Sequence, residues 1–472
     1  NDVHLVGRSF KYHRPRGIMT AGSEEPNAIV QVNDNTNRTE PNVRATEVEI
    51  YEGLEASSQN CWPNVNFDIG GINNLISPFL PAGFYYKTFM WPASFWEKYE
   101  FFIRHSAGLG KSPTEKDPDI YDHRNIHCDV LVVGAGISGI LAAKNAAKNN
   151  FKTLLIDEKN ELGGATIYQN KEFNKINNQG SSDWIKKEIN ELKNIDNLEV
   201  KTRTSVAAYH GYNYLLAREN LTDHLEKKDK NNKVRQRLLK IRAKKVILAT
   251  GALERPLVFN NNDRPGIILS TAVKKYADFF GVKCGEKNVF FTNNDSAYES
   301  ALCLHNKGIK VDAIVDIRDN SNSKIVKAVE QAGIKIYWSH TVVDTNGYRR
   351  LDNISIMRLS NDGMTVTGKR INISCDCLGI AGGWTPAVHL FTQSGGKLKF
   401  DEDNNVFLPN KYPSDQISVG SCNGNFNLKE IINELSIKLK EFLKIDQTDF
   451  DNIAIESEEE TSKRNIWLLP SD

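Results

Sequence analysis

Apolar positions change their rhythm once along the chain. Up to about residue 120 they come in short alternations, Ala28-Ile29-Val30-Gln31-Val32 and Val48-Glu49-Ile50-Tyr51, set among Pro, Gly and aromatic residues. Period-two runs of that length predict short strands and turns. The most apolar stretch, 75–86, is broken by Pro78 and Pro81. A polar segment with two prolines follows (KSPTEKDPDIYD), and 111–127 is expected to be a linker.

From Cys128 the runs lengthen. Residues 128–133 (CDVLVV) have the mostly apolar character of a strand buried on both faces. A glycine turn over 134–139, a helical run over 140–149 and a second strand over 153–157 follow it, which is a βαβ unit. Ile185, Ile189 and Leu192, at i, i+4 and i+7, predict a helix capped by Ser182. Strands are expected over 206–216 and 236–241 around a polar tip at 226–233, and again over 245–251. A second α/β unit reads strand 288–292, helix 296–307, strand 310–316; a last strand over 416–420 leads into a helix over 428–442. The acidic run 456–460 is expected to be an exposed tail.

Composition narrows the class. A chain of 472 residues allows roughly two to four domains. Lys+Arg 60 against Asp+Glu 59 gives +1, so no global basic footprint for nucleic acid exists. The basic stretch Arg8, Lys11, His13, Arg14, Arg16, with Phe10 and Tyr12, reads instead as a docking strand or inter-domain contact. Seven scattered cysteines suit reduced, cytoplasmic thiols rather than a disulfide framework. No run approaches the ~20 apolar residues of a membrane span. The first residue is Asn1 rather than Met, and a segment is expected to be missing before it.

The sharpest chemical signal is Gly134-Ala135-Gly136-Ile137-Ser138-Gly139, because it follows a buried strand and opens a helix. Gly134 allows the tight turn, Gly136 lets backbone amides approach a pyrophosphate, and Gly139 permits close helix–strand packing. The helix N-terminus then offers N–H groups and a positive dipole end to the phosphates. Asp157, closing the next strand, can accept from adenosine ribose hydroxyls and selects against a 2′-phosphate; Glu158 and Lys159 lie beside it. The alternative is a glycine turn without a ligand. Gly164 completes the glycine pair Gly163-Gly164, which with Ala165 and Thr166 after it would let backbone pass close to a cofactor, and Thr250 and Gly251 close the crevice from a later strand.

Other constellations carry less. Cys375-Asp376-Cys377 is expected on a strand with both thiols on one side, as two small buried residues rather than a redox or metal pair. His123 and His127, beside Cys128, have no second ligand pair, so no metal is expected.

These glycine turns resemble those of two-dinucleotide flavoproteins, in which the first unit holds FAD and the second a nicotinamide. Two departures argue for one adenine dinucleotide, in the first site. The second unit (FFTNNDSAY, 290–298) lacks a glycine fingerprint, and the late strand ends Gly420-Ser421 instead of Gly-Asp. More specifically, GRSFKYHRPRGI (7–18), ATGALERPLV (249–258), NDRPG (262–266), TNNDSAY (292–298) and GGWTPAVH (382–389) resemble the alpha subunit of heterotetrameric sarcosine oxidase over nearly the whole chain.

That resemblance implies an α/β Rossmann-like FAD/NAD(P)-binding domain of the two-dinucleotide type. It lies behind a ferredoxin-like β-grasp domain, here without its iron–sulfur cluster. The expected division is 1–110, partial β-grasp domain and connector; 111–127, linker; 128–445, nucleotide domain with a degenerate second unit at about 285–345. Residues 446–472 would lead towards an absent folate-binding domain, so the chain is expected to be truncated at both ends. NAD would contact 134–139, Asp157, Glu158, Lys159, Thr166, Val206 and the 420–428 turn, including Ser421 and Leu428. No catalytic residue is expected in this chain.

FAD, FMN and sarcosine would belong to the beta subunit, tetrahydrofolate to the missing domain, and gamma and delta subunits would complete the complex. The complex would demethylate sarcosine oxidatively to glycine, with hydrogen peroxide and 5,10-methylenetetrahydrofolate as products. Two alternatives stay open: a subunit of an opine- or cyanide-forming amine dehydrogenase, and a non-catalytic scaffold whose NAD is structural.

Overall fold

The computed structural model describes residues 5–9, 14–33, 39–59, 61–74, 89–106, 110, 112–230, 232–457 and 463–471. Phe10, Lys11, Tyr12 and His13, the 75–86 stretch and Glu458 to Glu460 fall outside the described residues.

Strand β1 (Ile29–Asn33) is the centre of a small antiparallel sheet, between β2 (Thr39–Arg44) and β3 (Glu55–Ser57). The strand expected over 48–51 does not form. Instead the chain crosses to the neighbouring domain, where the Glu49 carboxylate accepts from Arg203 Nη2 at 2.8 Å and Asn160 Nδ2 at 2.9 Å. Helix α1 (Trp96–Ser106) lies in the connector.

The first nucleotide unit is built on β4 (Ile120–Val133), α2 (Ile137–Lys148), β5 (Thr153–Ile156), α3 (Ser181–Leu192), β6 (Leu198–Lys201), β7 (Thr204–His210), β8 (Tyr214–Asn220) and β9 (Val234–Leu248). Their order in the sheet is β6-β5-β4-β9-β8-β7, parallel from β6 to β9 and then antiparallel. Val130 and Val132 of β4 pack in one core cluster and Leu131 and Val133 in the other, so this strand is covered on both faces, as its apolar run requires.

Four expectations need correction here. Residues 120–127 of the supposed linker are the first half of β4, paired in register with the polar start of β9. Charge rather than burial sustains that half: Arg237 Nε lies 2.8 Å from Asp122, and Arg235 reaches Asp119 at 3.0 Å and Asp223 at 2.6 Å. The runs at 236–241 and 245–251 are likewise one continuous strand, and 206–216 contains the turn between β7 and β8. Ser182 does not cap α3; backbone at Gly180 precedes the helix and the buried Ser182 Oγ has no partner.

The second unit is β10 (Ile267–Leu269), α4 (Ser270–Asp278), β11 (Asn288–Thr292), α5 (Ser296–Asn306), β12 (Val311–Asp316), α6 (Lys324–Gln331) and β13 (Ile336–Trp338). An antiparallel layer follows, β14 (His340–Asn346), β15 (Asn353–Leu359) and β16 (Val366–Ser374), and then β17 (Cys377–Ala381). The parallel order is β10-β17-β11-β12-β13. Cys375 and Asp376 form the turn between β16 and β17, so the C-x-C does not share a strand, although both thiols are fully buried in the core. Finally β18 (Gln416–Ser418) returns beside β9 and leads to α7 (Leu428–Leu443), which packs on α2. Among the described residues no helix is long and apolar enough to cross a membrane.

Candidate functional site

At the carboxyl ends of β4, β5 and β9 a cleft of about 1160 Å³ opens towards the second unit. Open α/β sheets place ligands there, at the point where strand order reverses. The glycine turn forms its floor. Gly134 has φ +96°, and a Cβ there would stand 2.3 Å from the Ala249 carbonyl oxygen; a Cβ at Gly139 would stand 1.8 Å from the Gly134 oxygen. Gly136 differs: nothing lies within 4 Å of a Cβ built on it. It also precedes α2 with no side chain capping the helix, so the first N–H groups have no side-chain acceptor at the edge of the cleft. An uncapped helix start over an open glycine face suits an anionic group such as a pyrophosphate.

Asp157 does more than the spacing predicts. Its Oδ2 accepts from Ala135 N at 2.6 Å and its Oδ1 from Lys159 N at 2.8 Å, so the carboxylate braces the turn while lining the cleft. Burial pushes its pKa above the usual carboxylate value, against those two backbone donors. Gly163 N donates to Ala135 O at 2.7 Å, which zips the glycine pair onto the same turn and brings Gly164, Ala165 and Thr166 to the wall.

Val206 lines the cleft from β7, and Thr250, whose hydroxyl donates to Ala387 O at 2.7 Å, from the end of β9. Gly251, Ser421 and Leu428 close the far side. Gly134, Gly136, Ile137, Ser138, Glu158 and Lys159 also face the cleft, whereas Ala135 and Gly139 lie beneath it.

Residues not anticipated from the sequence complete the walls. Ser23, Glu24 and Arg44 come from the N-terminal domain; Arg255, Asn294, Trp384 and Trp467 come from the second unit and the C-terminal segment. In the second unit Asp295 stands at the start of α5, where a second dinucleotide would set its phosphates. Its Oδ1 takes Arg318 Nη1 at 2.8 Å and the Ser321 hydroxyl at 3.1 Å, and Arg318 Nη2 also meets Asp316 at 2.7 Å. Residues 463–469 then run over the strand ends: Trp467 Nε1 donates to Gly382 O at 2.6 Å, and Asn293 Nδ2 to Ile466 O at 3.3 Å.

The remaining candidates separate. His123 and His127 are exposed on β4 while Cys128 is buried, and among the described residues no His/Cys/Asp/Glu group could hold a metal. Arg14 ion-pairs with Asp263 of the NDRPG segment at 2.8 Å, so this part of the basic arm docks on the second unit.

Glu254, buried beside the cleft wall, accepts from Thr271 N at 2.9 Å through Oε2 while Oε1 has no partner; burial raises its pKa from 4.5 to about 7. The folded state therefore holds that proton more tightly than the unfolded chain. The resulting stability is complete below the unfolded value and disappears as pH climbs through about 7. Glu254→Gln should remove this component, so that the melting temperature falls less between pH about 5 and about 8 than in the parent. Parallel melting curves for the two proteins across that range would expose the error.

Comparison with known proteins gives two family matches. The pyridine nucleotide-disulphide oxidoreductase model matches residues 128–414, and a 2Fe-2S iron-sulfur cluster binding domain model matches 1–61. Sarcosine oxidase subunit alpha of Rhizobium meliloti (strain 1021) is 43% identical over 410 residues, 86% of this chain and 40% of that protein. The subunit of the same name from Corynebacterium sp. (strain P-1) is 33% identical over 431 residues, 90% of this chain and 39% of that one. The chain thus spans about two fifths of these relatives.

L-proline dehydrogenase from P. horikoshii shares the fold at TM-score 0.59 and 18% identity, covering 97% of this chain and 73% of that one. Thioredoxin reductase from T. acidophilum does so at 0.51 and 19%, covering 68% and 97%. The residues present do not fit an iron–sulfur cluster. Two irons need four converging ligands, and Cys61 is the sole cysteine before Cys128.

Proposed function

The chain belongs to the pyridine nucleotide-disulphide oxidoreductase family and is a relative of sarcosine oxidase alpha subunits, and from that premise we propose that it is the NAD-binding part of such a subunit. The uncapped start of α2 over Gly136, with Asp157 and Glu158 at the end of β5, carries the reading. Backbone N–H groups of α2 would hold the pyrophosphate. The two neighbouring carboxylates would accept from the adenosine ribose and repel a 2′-phosphate, which favours NAD over NADP. The turn after β18 presents Ser421 where FAD-binding relatives of this fold carry an Asp, and this favours NAD over FAD. Bound NAD supplies a nicotinamide able to exchange a hydride. Val206, Thr166 and Leu428 would help enclose the dinucleotide.

In the assembled enzyme, sarcosine, oxygen and tetrahydrofolate would give glycine, hydrogen peroxide and 5,10-methylenetetrahydrofolate. FAD and FMN would reside in or beside the beta subunit. The folate domain would lie in the part of the relatives beyond this match, with gamma and delta subunits completing the complex. The reading is tested by releasing the nucleotide from purified protein and by titrating NAD onto Asp157→Ala. The variant should bind about ten- to a hundredfold more weakly, the loss of a charge-assisted hydrogen bond of about 1–3 kcal/mol. Release of FAD without NAD would overturn it.

A further inference from the structure

We propose that the N-terminal ferredoxin-like domain forms the adenosine-side wall of the nucleotide cleft, with Ser23 and Arg44 reading the adenosine half of NAD; this rests on the NAD reading above.

The loop between residues 19 and 28 is built around a carboxylate. Glu25, 1% exposed, accepts at Oε2 from Met19 N (2.9 Å), Thr20 N (2.7 Å) and the Thr20 hydroxyl (3.2 Å). At Oε1 it accepts from Asn27 N (2.7 Å) and Ala28 N (3.1 Å). Backbone donors aimed inward at one buried anion make a rigid loop. Its outer side is fixed to the second unit: Tyr276 OH donates to Thr20 O at 2.9 Å, Lys275 Nζ to Ala21 O at 3.2 Å and Leu269 N to Met19 O at 2.8 Å.

The tip of this loop therefore has a defined address, the mouth of the cleft. There Ser23 Oγ donates to Glu158 Oε1 at 2.9 Å. Glu158 is exposed, on a turn that gives its side chain little support; the hydroxyl holds it beside Asp157. Arg44, at the end of β2, donates through Nη1 to Ser23 O and lies 3.5 Å from Glu47, with its side chain 48% exposed and lining the cleft. A planar guanidinium so held can stack on adenine or donate to its ring nitrogens. A second contact, Glu49 on Arg203 and Asn160, ties the N-terminal domain to the segments that follow β5 and precede β7, next in sequence to the cleft residues Lys159 and Thr204. These N-terminal contacts gather at the end of the cleft where the adenosine ribose would lie.

The test is calorimetric titration of the full chain with NAD and, separately, with AMP. Arg44→Gln should weaken both by the same factor, about tenfold, and Ser23→Ala, which removes one hydroxyl and little packing, by about threefold. Melting temperatures of both variants check that the domain stays folded. A loss for NAD with AMP affinity unchanged would overturn the assignment, as would unchanged affinity for both in Ser23→Ala and Arg44→Gln. If the parent chain binds neither NAD nor AMP, the reading of the cleft itself fails, a different result from either of these.

Discussion

Gly136→Val will abolish dinucleotide binding and leave the fold standing, whereas Gly139→Ala will damage both. The two glycines are three residues apart in one fingerprint, yet they meet different surroundings. At Gly139 an added Cβ would stand 1.8 Å from the Gly134 carbonyl oxygen, a backbone atom with no rotamer to yield. Helix α2 would have to lift from the turn, and overpacking of this kind costs about 1–3 kcal/mol or more. At Gly136 the backbone is extended rather than left-handed, with φ −70° and ψ −177°, and a Cβ has free space around it. That space is the cleft, so a valine side chain occupies the place of the phosphates and blocks the N–H groups behind it.

Binding should fall at least about a hundredfold, near 3 kcal/mol, with the melting temperature of the ligand-free chain unchanged. Differential scanning fluorimetry with and without NAD reads both quantities. A Gly136→Val protein that still gains thermal stability from NAD would place the phosphates elsewhere.

The fingerprint was legible because backbone sterics allow few residues at a tight turn that also meets a ligand. The runs at 128–133 and 288–292 were legible because strands covered on both faces need unbroken apolar sequence, and β4 ends and β11 lies where those runs do. What escaped the sequence was held together by charge or by distance. The first half of β4 is polar, and it is a strand through its backbone ladder with the distant β9, where Arg237 also meets Asp122. Ser23 meets Glu158 across 135 residues, a contact no local pattern announces. Asp295 was visible within TNNDSAY, but its partner Arg318 lies on the next connection, so the ion pair at this turn could not be read from the sequence. Ser182 failed as a cap because the chain enters α3 through backbone at Gly180.

Given sarcosine, oxygen and NAD, the isolated 472-residue chain will form neither peroxide nor NADH above the blank. Oxidising an amine requires an acceptor set against the C–H bond and a group to receive the proton. The glycine floor of the cleft lies at α2. At the corresponding turn before α5 no glycine fingerprint stands, and the Asp295 carboxylate, paired with Arg318, which is 3% exposed at the side chain, lines the cleft, with residues 463–469 over the strand ends beside it. Three of the carboxylates on the walls already hold protein donors. Asp157 braces the glycine turn, Glu158 takes Ser23, and Glu299 takes Lys274 and the Asn170 N–H.

On the reading proposed above, electrons would enter through a flavin-bearing partner, and the one-carbon unit would leave through a folate domain in the part of the relatives beyond this match. Without them the rate should drop to that of the uncatalysed reaction, at least about 10⁶-fold below the assembled enzyme. Following peroxide and NADH separately distinguishes oxygen from NAD as the acceptor. Turnover of either at a rate comparable to the complex would mean that a substrate pocket lies on the second-unit wall of the cleft, with Arg255, Trp384 and Trp467 the first to replace.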